Sequence, residues 1–317
     1  MPWDEGSIPD LTSKVSLVTG ANAGIGFETA RQLALHGAKV YLGARSQTRA
    51  NQAISKILAQ HASISVERLV WLSMDLSDLS SVVTAAQKFS SVEPRLDILI
   101  NNAGIAADDF VTTKEGVELT MAVNYVGHFA LTTKLLPLLK ATAAQPESDV
   151  RVVTLSSVAE KFAPSENMFT APGDLRDPCA EPGAEASHKA RFRRYGLTKL
   201  AGILFTRELQ KRMNDQDIKI SVLCTDPGPV ATEGGLGVWP WYVRPVMRLV
   251  ANTAEKGAKS SLFCATAEEI VKERERYGGE LLGGLGKVLQ GTERSRDMRL
   301  AKSLWQTTET LLTATGI

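Results

Sequence analysis

Tyr195 and Lys199 are the two residues whose types and spacing point most directly to chemistry. They stand four positions apart in a stretch that predicts a helix over 195–213, so their side chains share one helix face. A free tyrosine has a pKa of about 10 and holds its proton too tightly to exchange it easily at neutral pH. A neighbouring ammonium favours the phenolate and lowers that pKa, so the pair is suited to proton transfer.

A second set of candidate residues is the glycine-rich turn formed by Gly20, Gly24 and Gly26. Gly20 lets the chain turn sharply, Gly24 lets the backbone approach a pyrophosphate, and Gly26 lets helix and strand pack closely. The helix that follows offers N–H groups and a positive dipole end to phosphates. Because the turn joins a predicted strand to a predicted helix, it favours a dinucleotide site over a plain turn.

The end of the second predicted strand, Lys39–Gly43, distinguishes between nicotinamide cofactors. An NAD site has an acidic residue there that accepts from the ribose 2′-hydroxyl. This sequence has Ala44 at that point, followed by Arg45, whose planar guanidinium suits a doubly charged 2′-phosphate. Arg49, one helical turn onward, is placed to assist. We therefore predict NADP(H); the alternative is that Arg45 is an ordinary solvated arginine.

The elements that position these residues alternate along the chain. Gln47–Gln60 and Val117–Lys140 read as helices, and near-continuous apolar strands separated by helices indicate a parallel sheet covered on both faces. We predict one doubly wound α/β domain of the Rossmann type over residues 1–317. The candidate strands are Val15–Thr19, Lys39–Gly43, Leu69–Leu72, Leu96–Ile100, Arg151–Leu155 and Lys219–Cys224.

Two proline-containing stretches, at about 158–194 and 229–252, break this alternation after strand ends. Long irregular segments in a compact domain are usually functional loops, and strand ends border the ligand crevice of an open α/β sheet. We interpret the basic run Lys189–Arg194 as a solvated face; attraction of an acidic substrate or a cofactor phosphate is the alternative. The aromatic segment Gly237–Val243 suits a lid over a lipophilic, polycyclic substrate. The alternatives are that this segment packs against the core or associates shallowly with a membrane.

Taken in order, these motifs resemble the short-chain dehydrogenase/reductase family of the single-domain type. The resemblance covers residues 14 to 270 and includes Thr-Gly-x3-Gly-x-Gly at 19–26, Tyr-x3-Lys at 195–199 and Pro-Gly-x-Val-x-Thr at 227–232. The segments 19–22, 123–129 and 300–305 resemble the branch of retinol dehydrogenases and WW-domain oxidoreductases. That branch includes many fungal reductases of secondary metabolism, so the resemblance does not make retinol the substrate.

The resemblance implies a catalytic role for four residues. Tyr195 exchanges the proton with the substrate oxygen, and Lys199 also contacts the nicotinamide ribose. Ser157, rather than Ser156, orients the substrate oxygen. Asn124 matches an asparagine that bends its helix and holds a water linked to the lysine. His128 is expected to be a packed helix histidine.

The resemblance also implies the cofactor contacts. Asp75 meets the adenine amine, Asn102–Gly104 border the adenosine, the backbone at Val230 binds the carboxamide, and Thr232 lies beside the phosphates. The residues assigned to the cofactor are Gly20, Asn22, Gly24, Ile25, Gly26, Arg45, Asp75, Leu76, Asn102, Ala103, Gly104, Tyr195, Lys199, Pro227, Gly228, Val230 and Thr232.

Composition limits the partners. Lys and Arg number 36 against 35 Asp and Glu, a net charge of +1, so no overall field favours nucleic acid or an anionic membrane. No apolar run is long enough for a transmembrane segment. The three cysteines lie far apart without C-x-x-C spacing, so we expect no metal site and reduced thiols in a cytoplasmic protein.

We therefore expect an enzyme that reduces a carbonyl of a lipophilic small molecule with NADPH. One alternative is a retinol- or steroid-type alcohol dehydrogenase that works oxidatively. Another is a non-catalytic NADP-binding redox sensor, which the combination of Asn124, Ser157, Tyr195 and Lys199 disfavours, because a pure binder does not need all four. Relatives often pair through the helices that start near residues 117 and 195, which would give a homodimer or homotetramer, but the long insertion could prevent this.

Overall fold

The computed structural model describes residues 3–106, 109–231, 243 and 251–317. In these residues eight strands form one sheet in the order β3-β2-β1-β4-β5-β6-β7-β8. Neighbouring strands are parallel, except β7 with β8. The strands are β1 (Val15–Thr19), β2 (Lys39–Ala44), β3 (Leu69–Ser73), β4 (Ile98–Asn101), β5 (Val150–Leu155), β6 (Ile220–Asp226), β7 (Leu281–Gly283) and β8 (Lys287–Leu289).

The strand order shows that the sheet is doubly wound. From β1 the chain proceeds to β2 and β3 at one edge, then returns to β4 on the other side of β1 and continues outward. A ligand crevice forms where connections diverge in this way, at the carboxyl ends of the strands. The predicted α/β class and Rossmann topology are confirmed. The two last strands were not predicted, because three residues are too few to show a periodicity.

Helices cover both faces of the sheet. One core packs α3, α5, α6 and α11 against the first face, and a second packs α1 and α7 against the other. The helices described are α1 (Gly24–Leu35), α2 (Gln47–Gln60), α3 (Leu79–Val92), α4 (Leu119–Met121), α5 (Gly127–Ala143), α6 (His188–Asp215), α7 (Ala254–Thr266), α8 (Glu268–Lys272), α9 (Arg274–Tyr277), α10 (Glu293–Arg296) and α11 (Met298–Ala314). Within the described part of the chain, no helix is both long and apolar enough to cross a bilayer.

Short helical turns complete the elements that surround the site. A π-helical turn, Ala122–Val126, joins α4 to α5. Single 3-10 turns span Glu5–Ser7, Val66–Arg68, Val158–Phe162 and Pro172–Arg176. The last two lie in the predicted insertion, which is therefore partly ordered by local hydrogen bonds.

The start of α6 differs from the prediction. The helix begins at His188, where the Ser187 hydroxyl caps it by accepting from the Ala190 N–H at 3.2 Å. The insertion is therefore helical over 188–194, where an irregular segment was predicted. The pattern hides this turn of helix because two of its inward positions are arginines, Arg191 and Arg194, which are 5% and 2% exposed.

Candidate active site

Tyr195 and Lys199 lie on one edge of α6, as the spacing predicts. The Lys199 ammonium is 5.2 Å from the centre of the Tyr195 ring. It also donates to the Leu155 carbonyl, at the end of β5, over 3.0 Å. Lys199 is buried and Tyr195 is half-buried. The phenol and the ammonium are therefore held together at the carboxyl end of the sheet.

A glycine brings the Ser157 segment against this helix. A β-carbon at Gly196 would lie 2.7 Å from the Ala159 carbonyl oxygen and 2.9 Å from the Ala163 nitrogen. Ala159 lies in the 3-10 turn that follows Ser157, and Ala163 is the residue directly after that turn. Only a residue without a side chain permits this approach. Gly196 therefore lets the segment that follows Ser157 pack against α6 next to Tyr195.

The two neighbouring serines have different surroundings. Ser156 is buried and its hydroxyl donates to the Lys199 carbonyl at 2.6 Å, so it holds β5 to α6. Ser157 is partly exposed, and its hydroxyl oxygen accepts from the Ala159 N–H at 3.2 Å. The Ser157 hydroxyl proton is thus available to another acceptor. The assignment of Ser157, not Ser156, to a ligand stays a prediction.

Asn124 occupies the π-helical turn, which is the bend expected for that residue. Its side-chain oxygen accepts from the Ile105 N–H at 2.8 Å, and its amide donates to the Ile105 carbonyl at 2.9 Å. The amide also donates to the Thr198 hydroxyl at 3.0 Å, next to Lys199. Asn124 therefore fastens the loop after β4 to the helix that carries Tyr195 and Lys199.

The electrostatics of the pair differ from the expectation. Burial, with a further contribution from the negative charge of Asp226, raises the pKa of Tyr195 well above its ordinary value. Lys199 does not lower this pKa below its ordinary value, because desolvation of the phenolate and the charge of Asp226 dominate. Burial lowers the pKa of Lys199 to about 8. Tyr195 is therefore a protonated phenol at neutral pH.

His128 is buried, as predicted, and it also joins the two halves of the site. Its Nδ1 lies 3.1 Å from the Asn124 carbonyl and its Nε2 lies 2.8 Å from the Thr19 hydroxyl. That hydroxyl oxygen accepts from the N–H groups of Asn102 and Ala103 at 2.9 and 3.0 Å. Burial lowers the pKa of His128 to about 4, so the ring is neutral and the Thr19 hydroxyl donates to it.

The glycine turn has the conformation and the donors that a pyrophosphate requires. Gly20 and Gly24 have φ of +66° and +58°, and a β-carbon at Gly26 would lie 2.6 Å from the Gly20 carbonyl oxygen. Ala23, at the start of α1, has no side-chain acceptor for the first N–H groups, whereas Ser46 and Asp78 cap α2 and α3. These donors point to an anion, and the turn fits the predicted cofactor.

Asn22 and Ile25 lie in this turn, and Asn102 supports it. The Asn102 amide donates to the Thr19 carbonyl at 2.7 Å, directly behind Gly20. The Ile25 side chain lies next to Gly257 of α7. Asn102 is therefore tied to the end of β1.

At the end of β2, an alanine and an exposed arginine stand where an NAD site has an acidic residue. Ala44 is buried, and Arg45 is exposed with its guanidinium 3.8 Å from the Asp75 carboxylate. Asp75 accepts from the Ser77 N–H and hydroxyl, which fixes the chain before the buried Leu76. A weak, solvated ion pair leaves Arg45 able to turn toward an anionic ligand.

The remaining predicted contacts surround the Lys199 ammonium and the turn after β6. A β-carbon at Gly104 would lie 3.8 Å from Lys199 Nζ. Gly228 has φ of +71°, and the chain after Pro227 pairs back with Asn252 through the bridge at Val230. Thr232 and the aromatic segment, apart from Val243, lie outside the described residues, and the predicted lid stays a prediction.

The basic run before Tyr195 is not a solvated face throughout. The Arg194 guanidinium donates to the Glu185 carbonyl at 2.6 Å and lies 3.6 Å from the buried Glu118 carboxylate. Arg191 donates to the Ala106 carbonyl at 3.1 Å. Both arginines hold loops in place inside the fold, so the preferred interpretation of the run as a solvated face is wrong for these two residues.

Two buried carboxylates near Ser157 were missed from the sequence. Asp226, at the end of β6, accepts from the Val158 and Gly228 N–H groups at 3.1 and 2.8 Å. Glu160 accepts from the Thr292 N–H and hydroxyl at 2.8 and 2.6 Å. The position of Asp226, a carboxylate directly before Pro-Gly at a strand end, was a usable signal; Glu160 offered none, because its partner is distant in sequence.

Comparison with known proteins then gives the family. A family model described as short chain dehydrogenase matches residues 14–170. The short chain dehydrogenase/reductase dpchH of Colletotrichum higginsianum is 48% identical over 314 residues, covering 99% of this chain and 78% of that protein. This chain belongs to the short-chain dehydrogenase/reductase family. It is therefore an oxidoreductase of that family.

Other similarities agree with this family. Retinol dehydrogenase 14 of Homo sapiens is 34% identical, covering 95% of this chain and 87% of that protein, which confirms the predicted likeness to that branch. A solved structure of a protein from Mycobacterium paratuberculosis is 27% identical, with a TM-score of 0.72 and coverage of 99% and 98%. A short chain dehydrogenase from Escherichia coli complexed with NADPH shares the fold at 22% identity, with a TM-score of 0.63 and coverage of 89% and 99%.

Proposed function

We propose that this chain is an NADP(H)-dependent carbonyl reductase that acts on a ketone or aldehyde of a lipophilic, polycyclic or polyketide-like molecule in the cytoplasm. The reaction would take place in a single domain formed by residues 1–317, with the insertions at about 158–194 and 229–252 bordering the substrate. The observation that carries the proposal is the Tyr195–Lys199 pair, with 5.2 Å between ammonium and ring centre, fastened to the end of β5.

The residues that would hold the cofactor lie along the carboxyl edge of the sheet. The uncapped start of α1 and the positive-φ glycines fit the pyrophosphate. Ala44 in place of an acid, with the exposed Arg45, favours a 2′-phosphate over a 2′-hydroxyl. When bound, NADPH supplies the hydride. The proposed contacts remain those assigned from the sequence, including Thr232.

The chain's own residues perform the proton chemistry. Tyr195 would donate its phenolic proton to the substrate oxygen during reduction, and the Ser157 hydroxyl would donate a hydrogen bond to the same oxygen. The raised pKa of Tyr195 favours the protonated phenol that reduction needs. Lys199, with its pKa of about 8, keeps its ammonium at neutral pH. Asn124 holds the loop at Ile105 against α6.

The phenol is tested by Tyr195→Phe, which removes one oxygen from the site. We expect kcat for reduction of a panel of ketones and aldehydes to fall by at least about 100-fold, because general acid catalysis contributes that much or more. NADPH affinity, measured by fluorescence titration, should stay within a few-fold of the wild type. Full turnover by the variant would refute the acid–base assignment.

The same panel separates the alternatives. Turnover of lipophilic alcohols with NADP⁺, and none of carbonyls with NADPH, would favour an alcohol dehydrogenase that works oxidatively. Tight NADPH binding without hydride transfer to or from any compound would favour a redox sensor. The Tyr195–Lys199 pair supports an enzyme over a sensor, and the proposed preference for NADPH supports reduction over oxidation.

A further inference from the structure

Asp226 lies at a junction of two segments that flank the proposed reaction centre. It is the last residue of β6 and is 7% exposed. One carboxylate oxygen accepts from the N–H of Val158, the residue after Ser157, at 3.1 Å. The other accepts from the N–H of Gly228 at 2.8 Å, in the turn that leads to Val230. One side chain thus joins the serine segment to the turn proposed to hold the carboxamide.

The same carboxylate is the acidic group that acts on the proposed proton donor. Among the described residues, the charged and titratable groups that interact with Tyr195 or Lys199 come from three elements: Lys199 on α6, Asp226 and Cys224 on β6, and His128 on α5. Burial raises the pKa of the Cys224 thiol to about 12 and lowers the pKa of His128 to about 4. Both groups are therefore neutral near pH 7. Within the described part of the chain, Asp226 is therefore the carboxylate whose charge acts on both Tyr195 and Lys199.

We infer that Asp226 is a positioning residue for the reaction, one that joins the Ser157 segment to the turn at Gly228 next to the Tyr195–Lys199 pair. This inference rests on the proposed function. The negative charge opposes formation of a phenolate and stabilises the Lys199 ammonium. Both effects act in the same direction, because both favour the protonation states that donate a proton to a carbonyl oxygen.

The test is the pH dependence of kcat/KM for reduction of phenanthrenequinone, a planar polycyclic diketone, by NADPH. Activity should decline at high pH as the Lys199 ammonium, whose pKa is about 8, loses its proton. Asp226→Asn removes the charge and replaces one accepting oxygen by an NH₂ group. We expect this decline to begin about one pH unit lower than in the wild type. Asp226→Glu, which retains the charge, should move the profile back toward the wild type.

Glu160→Gln is the matched control. Glu160 is also a buried carboxylate that ties the Ser157 segment, but its partner is Thr292 rather than the turn after β6. A role that is only structural would alter kcat in both variants and leave both pH profiles in place. We expect the profile to move in Asp226→Asn alone. If Asp226→Asn does not fold, Asp226→Ser also removes the charge, and the same shift is expected.

The outcomes separate this inference from the function on which it rests. A wild-type chain that reduces the quinone, with Tyr195→Phe inactive and the Asp226→Asn profile unmoved or shifted to higher pH, overturns the role of Asp226 alone. A Tyr195→Phe variant as active as the wild type refutes the proposed function, whatever Asp226 does. A profile that shifts equally in Glu160→Gln also overturns the inference, because loosening the segment would then suffice.

Discussion

Lys199 donates a hydrogen bond from its ammonium to the Leu155 carbonyl at 3.0 Å, which ties α6 to the end of β5. The ammonium is nevertheless in an unfavourable place, because burial lowers its pKa from 10.5 to about 8. The chain thus keeps a desolvated cation next to Tyr195. Such a group is expected where function, rather than stability, has selected the residue.

The first prediction concerns Lys199→Met and the free energy of unfolding. At pH 6–7 the folded chain carries the buried ammonium, and the difference between the two pKa values corresponds to roughly 3 kcal/mol of destabilisation. The variant also loses the hydrogen bond to the Leu155 carbonyl, which reduces its gain in stability by about 1 kcal/mol. We expect Lys199→Met to be more stable than the wild type by about 2 kcal/mol at pH 6–7 in urea denaturation.

This advantage should shrink as the pH rises from about 8 to 10.5, because the folded wild type then loses its buried charge before the unfolded chain does. Lys88→Met, at an exposed lysine of α3, is the control and should stay within about 0.5 kcal/mol of the wild type at each pH. A Lys199→Met variant less stable than the wild type at pH 7 would show that the ammonium is well solvated or well paired.

The second prediction separates the two serines. Ser157→Ala removes the hydroxyl proposed to meet the substrate oxygen, and we expect kcat/KM to fall by about 100-fold, the loss typical for one such donor. Its free energy of unfolding should fall by about 0.5–1 kcal/mol, because the bond from the Ala159 N–H is lost. Ser156→Ala loses the buried bond to the Lys199 carbonyl, so we expect about 1 kcal/mol less stability and a smaller loss of activity. A larger loss of activity in Ser156→Ala than in Ser157→Ala would assign the substrate contact to Ser156 instead.

The third prediction concerns Arg45 and the choice of cofactor. A charged hydrogen bond contributes about 1.5–3 kcal/mol, so Arg45→Ala should raise the Kd for NADPH by roughly 10- to 100-fold and leave that for NADH unchanged. Arg49→Ala, at the next exposed arginine, should have a smaller effect. Fluorescence titration measures both. An equal loss for NADPH and NADH, or a wild type that prefers NADH, would contradict the role of Arg45.

The fourth prediction compares two glycines of α6. A β-carbon at Gly196 would lie 2.7 Å from the Ala159 carbonyl oxygen, whereas one at Gly202 would lie 3.5 Å from its nearest neighbour, Thr154 Cγ2. We expect Gly196→Ala to destabilise the chain by about 1–3 kcal/mol and to lower activity by displacing the Ser157 segment. Gly202→Ala should stabilise the helix by up to about 1 kcal/mol. Similar denaturation midpoints for the two variants would show that the turn relaxes readily.

Features that depend on the spacing of near neighbours could be predicted from the order of residues alone. Gly20, Gly24 and Gly26 require positive φ or close packing within one turn, and Tyr195 and Lys199 share a helix face because four residues make about one turn. The buried strands were legible for the same reason: each is a short apolar run between helical stretches. Family resemblance added the roles of Ser157 and Asn124, whose hydrogen bonds the local pattern does not contain.

Features that depend on contacts between residues distant in the chain could not be predicted and appear first in the folded structure. The pKa of Tyr195 rises, contrary to the expectation from Lys199 alone, because burial and the charge of Asp226 come from elements outside the helix. Arg194 is buried because Glu118 and the Glu185 carbonyl come to meet it. Desolvation and long-range charge depend on what packs around a group, and a local pattern of residue types does not record that packing.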